Sequence, residues 1–229
     1  MPDLVPQAEL LRALGRVARG LSCLFWGLPL MLVICVRTAA TPILDVVLFD
    51  QFPPILISLL LLFGLFELGR FQPQERVWHR ALDRAKLIAF LNLGLSPFLY
   101  WWLKFPGVPY FIWAVGALGM SGLLFLALLN RVLRRLAAML PDETLRQETR
   151  VFTSLNLLFL VLLPTGLLAY LGLSRMAELP TLAILFLTFL NMTGQWFLLF
   201  FILLPVAMTM ALIWKTKEIV LAGVYEAAR

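Results

Sequence analysis

Three pairs of arginines stand at i, i+4 spacing, each ahead of a long apolar run: Arg12/Arg16, Arg80/Arg84 and Arg146/Arg150. On a helix this spacing puts both guanidiniums of a pair on one face. A guanidinium offers a planar fork of donors that matches phosphate oxygens. The chemistry open to these six residues is therefore headgroup binding, and the expected partner is anionic lipid of the inner leaflet. Glu67 is the one acidic residue near the interior of an apolar run, with Arg70 at i+3. An intramembrane carboxylate is a functional candidate by default. The nearby arginine and the shallow depth favour a role at a helix interface instead. Asn92, Asn156, Asn191, Thr193 and Gln195 are uncharged polar residues inside the runs. In lipid such groups need partners, so they are expected to hydrogen-bond between helices or to line a polar cavity.

Other chemistries are excluded by what is missing. The single histidine, His79, lies between runs rather than within one. Haem-type ligation needs histidine within a span and zinc sites need Cys/His clusters, and the sequence has neither. No Walker loop, HExxH helix or paired carboxylate occurs in a run. No cofactor and no metal is expected, and an enzyme is the less favoured class. Cys23 and Cys35 are 12 residues apart in one apolar run, about 18 Å along a helix. That excludes a disulfide between them, and both read as small apolar fillers.

The residues named so far need a scaffold, and composition gives its class. The chain is 62% hydrophobic and 14% charged, with mean hydropathy +0.92. A soluble domain carries about 25% charged residues. The apolar residues fall into runs of membrane-spanning length. The sequence predicts an all-α, polytopic membrane bundle with spans at 20–40, 53–70, 87–104, 109–130 and 151–173 and a sixth within 181–214. The first could imitate a secretion signal, since a basic arm precedes it and Thr38-Ala39-Ala40 follows. Its length makes it an uncleaved span.

Charge predicts the threading. Of 19 Lys and Arg, 16 fall in the N-terminal arm, the second and fourth inter-span loops and the C-terminal tail. Only Arg37, Lys104 and Arg175 fall on the other side. This asymmetry predicts both termini in the cytoplasm, in a bacterial-type inner membrane. Tyr100, Trp101, Trp102, Tyr110, Trp113 and Tyr170 then form an outer aromatic belt, and Trp214 marks the inner one. The basic balance serves topology and headgroups, not nucleic acid.

Three domains follow: an amphipathic inner-leaflet arm at 1–19, a six-span domain at 20–214 and a cytoplasmic tail at 215–229. The last span is too long. Its 34 residues would extend about 51 Å, against a bilayer core of about 30 Å. It is expected to project, tilt, or kink at Gly194 or Pro205.

The arginine pairs are each followed by a proline deep in the span: Pro29, Pro97 and Pro164, with steps of 68 and 67 residues. This spacing suggests three repeated two-helix hairpins, an arrangement that underlies many transporters. Gly116, Gly119 and Gly122 give the fourth span a small-residue face suited to close packing against another helix. The first functional expectation is a non-catalytic subunit of a larger membrane assembly, with other membrane subunits as partners. The alternative is a small transporter or channel with its polar site near Asn191–Gln195. A lipid-handling enzyme using the arginines as headgroup clamps comes third.

Overall fold

The structure, a computed structural model, describes residues 4–40, 47–71, 74–140, 143–173 and 181–227. Among these the chain is almost wholly helical, with no strand. Seven helices occur: α1 (Leu4–Ala40), α2 (Val47–Gly69), α3 (Arg76–Leu95), α4 (Phe98–Lys104), α5 (Pro109–Met139), α6 (Glu143–Leu173) and α7 (Thr181–Ala227). Four of them contain segments long and apolar enough to cross a membrane: Leu11–Thr38, Phe52–Gly69, Pro109–Met139 and Glu143–Gly166. The protein thus has the build of a polytopic membrane protein.

The helices outrun the apolar runs that define them. The basic stretches expected as loops are mostly helical ends. The arm at 7–19 is continuous with the first span, and α1 carries Pro29 inside it without a break. The segment 215–227 likewise continues α7, which passes through Gly194 and Pro205 as one helix of 47 residues. At Pro97 the outcome differs. Proline disfavours helical geometry in the residue before it and cannot donate its own N–H. Here α3 stops at Leu95, and the short helix α4 restarts one residue after the proline.

Successive helices pack in a closed circuit. Helix α1 lies on α2, α2 on α3, α3 on α5, α5 on α6, α6 on α7, and α7 returns to α1. Buried positions follow a three-and-four spacing: Leu14, Val17, Leu21, Leu24 and Leu28 on α1; Trp78, Leu82, Ala85, Ala89 and Asn92 on α3; Val206, Thr209, Ile213, Thr216 and Val220 on α7. This 3.5-residue period is that of helices lying side by side at a shallow angle, about 20°. Opposite faces carry exposed large apolar side chains, among them Leu87, Phe90, Trp113 and Leu168. Where α1 crosses α2 the backbones nearly touch. A Cβ added to Gly20 would stand 2.8 Å from the Gly64 carbonyl oxygen, and one on Gly64 would stand 3.0 Å from that of Gly20.

Candidate functional site

Most of the described basic residues stand near one end of the helices, and several are joined helix to helix by carboxylates. Arg19 of α1 approaches Glu67 of α2 at 4.0 Å, and Arg70 hydrogen-bonds Glu67 at 3.3 Å. Lys215 of α7 pairs with Glu148 of α6. Between these contacts lie the ends of α3, α5 and α6, and there the arginines form a basin. One cavity, about 300 Å³, is lined by Arg134, Arg135, Ala138, Arg146 and Arg150. A second, about 250 Å³, is lined by Val77, Arg80, Ala81, Arg84, Arg131, Arg134 and Arg135.

Local helix geometry positions this basin. On α5, Leu129, Val132, Leu133, Leu136 and Ala137 are buried, while Arg131, Arg134 and Arg135 are exposed. The helix pins its three arginines outward because its apolar side is held in the core. The pairs Arg80/Arg84 and Arg146/Arg150 do the same from α3 and α6, with Trp78, Leu82 and Ala85, and Leu145 and Thr149, buried beside them. Arg146 also donates to the Ala138 carbonyl at 3.2 Å, tying the start of α6 to the end of α5. Among the described residues none of the seven arginines has a carboxylate partner. The ion pairs present involve Arg19, Arg70, Lys86 and Lys215.

Four of the six arginines expected to bind headgroups therefore meet in one place: Arg80, Arg84, Arg146 and Arg150. Arg12 and Arg16 line neither cavity. The reading of pairs ahead of spans missed Arg131, Arg134 and Arg135, the residues that join the two pairs. Their signal was present as a run of like charges at i, i+3 and i+4 with no acid among them.

A second polar cluster is buried and neutral. Thr209 of α7 accepts hydrogen bonds from Asn130 Nδ2 of α5 at 2.9 Å and Asn156 Nδ2 of α6 at 2.8 Å. Its hydroxyl donates to the Pro205 carbonyl at 2.7 Å. The second protons of the two amides go to the Leu126 carbonyl at 2.8 Å and the Pro205 carbonyl at 3.2 Å. One hydroxyl thus ties three helices together with its capacity filled. Asn130 Oδ1, Asn156 Oδ1 and the hydroxyls of Thr149 and Thr153 are buried there without a protein partner. Asn92 bonds Ser121 across α3 and α5. Of the expected polar residues, Asn92 and Asn156 thus serve helix contacts, and Glu67 sits beside its arginines. Asn191, Thr193 and Gln195 fall on helical backbone, and their side chains lie outside the described residues. Asn130 and Thr209 were not singled out from sequence: Asn130 ends its apolar run beside Arg131, and a threonine can bond its own helix backbone.

The opposite end of the bundle is aromatic. Phe98 meets Tyr110 edge-on at 5.7 Å, and Trp101 stacks on Phe105 at 5.9 Å, closing the turn between α4 and α5. Comparison with protein-family models, curated proteins and solved structures gave no match.

Proposed function

We propose that this chain is a non-catalytic subunit of a larger membrane assembly, threaded six times through the bilayer with both termini in the cytoplasm. The observation that carries the reading is the use of the buried polar groups. Asn92 is spent on Ser121, and Asn130 and Asn156 on Thr209, each bond running from one helix to the next. Polar groups arranged for transport would instead converge on a cavity. None of these residues lines either of the two cavities described, whose polar lining is arginine.

The threading rests on charge and length. The arginine end fits the cytoplasmic headgroup level, and the aromatic turn between α4 and α5 fits the outer belt. Helices α3 and α4 together, residues 76–104, extend about 43 Å and serve as one crossing broken at Pro97. Helix α7, about 70 Å long, crosses once and runs on beyond the bilayer. The contacts of α1 with α2, α3 with α5 and α6 with α7 are compatible with three hairpins, alongside equally extensive contacts of α5 with α6 and of α7 with α1. The small-residue face of α5 supports assembly as well. A Cβ added to Gly116, Gly119 or Gly122 would meet nothing within 4 Å among the described residues.

The test is a native mass measurement in mild detergent. The chain should travel with other membrane chains at fixed stoichiometry, and Asn191→Leu/Gln195→Leu should release it as a monomer. A monomer that conducts solute in liposomes, and loses that flux in the same variant, overturns the reading. With Cys23 and Cys35 replaced by alanine, a cysteine at Asp45 should react from outside the cell and one at His79 should not. The alternative, a small transporter or channel, is favoured by one observation: Thr149, Thr153 and Asn156 recur at i, i+4 and i+7 on α6 with buried unpartnered oxygens, and Asn130, with another, meets Asn156 through Thr209.

A further inference from the structure

Seven guanidiniums on three helices, unopposed by any carboxylate among the described residues, need an anion. They line two cavities that have Arg134 and Arg135 in common, and like charges gathered in this way repel one another until an anion offsets them. Arg146 stands in the first turn of α6, where the helix dipole disfavours a cation. A purely topological signal would be satisfied by charges anywhere in these segments, and by lysine as well as arginine. Here every cation lining the two cavities is arginine, and the cavities share a wall, Arg134 and Arg135.

We propose that this basin is a binding site for a ligand carrying two phosphate groups. One phosphate sits between Arg80, Arg84 and the α5 arginines. The other sits between Arg146, Arg150 and the same α5 arginines. The volumes, about 300 and 250 Å³, give each phosphate its own recess, and the forked donors grip phosphate oxygens two at a time. Basic recesses between helices at the headgroup level take lipids of this kind. The same chemistry would accept a soluble diphosphate. The site stands whether or not the chain assembles with others.

The full-length protein in detergent would be titrated with two lipids and followed by native mass spectrometry. The first is tetraoleoyl cardiolipin, with two phosphates per molecule. The second is dioleoyl phosphatidylglycerol at twice the molar concentration, so that phosphate and charge match. Cardiolipin should bind about tenfold or more tightly than the doubled monophosphate lipid. Arg134→Gln/Arg135→Gln should abolish that preference, and Arg12→Gln/Arg16→Gln, with the same charge loss, should leave it intact. Should the glutamine variant fail to fold, Arg134→Lys/Arg135→Lys keeps the charge, loses the fork and should lower the preference several-fold. Equal binding of the two lipids, or an equal loss in the Arg12/Arg16 variant, overturns the proposal. Competition decides the source: displacement of cardiolipin by inorganic pyrophosphate but not by orthophosphate identifies a soluble ligand, and retention against both identifies a lipid.

Discussion

Where α1 meets α2, glycine faces glycine; where α5, α6 and α7 meet, threonine faces asparagine. Both seams use the same three-and-four spacing, so the geometry of crossing does not distinguish them. The chemistry does. In the first, Gly20 and Gly64 let the backbones come together, flanked by Leu21, Leu24, Leu61, Leu65 and Leu68. Its attraction is dispersion between close surfaces, which lipid cannot reproduce at the same density. In the second, the spacing positions are Thr149, Thr153 and Asn156 on α6 and Thr209 and Thr216 on α7. Its attraction is directional, and it leaves acceptor oxygens over. A seam of the first kind is intolerant of volume. A seam of the second kind is intolerant of unmatched hydrogen bonds.

The largest expected effect follows from volume. In Gly64→Leu the new Cβ would meet the Gly20 carbonyl oxygen at 3.0 Å and Cys23 Cβ at 3.2 Å before the rest of the side chain is placed. Neither helix can yield without breaking the seam. The cost should reach about 3 kcal/mol, the upper range for overpacking, measured as unfolding free energy in mixed micelles. In Gly119→Leu on α5 the new Cβ meets nothing within 4 Å, and the change should shift the isolated chain by about 0.5 kcal/mol or less. Equal effects from the two would remove the close approach from the account.

The second expectation tests the polar seam. Thr209→Val keeps the shape and deletes the hub, leaving an amide proton of Asn130 and one of Asn156 without their shared acceptor. The cost should be about 1–2 kcal/mol. The triple variant Asn130→Leu/Asn156→Leu/Thr209→Val removes all partners together and should recover most of that loss, since replacing every member of a buried network with apolar groups is nearly neutral. If the triple variant is worse than Thr209→Val, the seam is held by shape rather than by hydrogen bonds.

These two seams were not equally legible in the sequence. Long apolar runs between basic segments announce helices that span membranes, because length and hydropathy are local properties. Which glycines touch is not local. The sequence points to Gly116, Gly119 and Gly122, whose spacing makes a face, yet the close approach falls at Gly20 and Gly64, which share no run. Asn156 could be named as a helix-packing residue because a lone amide in lipid must find a partner. That the partner is Thr209, 53 residues away, depends on the order in which the helices close their circuit. The arginine basin is an intermediate case. Each pair is visible as a pair, and the wall that joins them depends on α5 lying between α3 and α6. Helix ends were misjudged for a single reason: arginine, glutamate and glutamine are good helix formers, so hydropathy ends before the helix does.

The charged contacts extend the comparison to smaller effects. Glu67 closes the α1–α2 seam with its side chain 9% exposed, while Arg19 and Arg70 are 71% and 63% exposed. In Glu67→Leu the arginines lose a partner but keep their solvent or headgroups, and no charge is left buried. Stability should change by about 1 kcal/mol or less. A much larger loss would mean that the carboxylate holds the two helices together, and that the glycine contact alone does not.

At the far end of the other seam, Lys215 and Glu148 tie α7 to α6 with side chains 42% and 44% exposed. Half-exposed pairs are weakened by water, by the entropy of holding two long side chains, and by salt. Lys215→Ala should cost about 0.5 kcal/mol, the smallest effect expected here. Salt separates it from its counterpart. Raising ionic strength from 0.1 to 1 M shortens the screening length from about 10 to about 3 Å, so Lys215→Ala and the unaltered protein should converge in stability. Glu67→Leu should keep its difference, because a carboxylate buried against α1 is screened far less. If both differences vanish in salt, the charges at the two seams are alike, and the contrast between the seams resides only in their glycines and threonines.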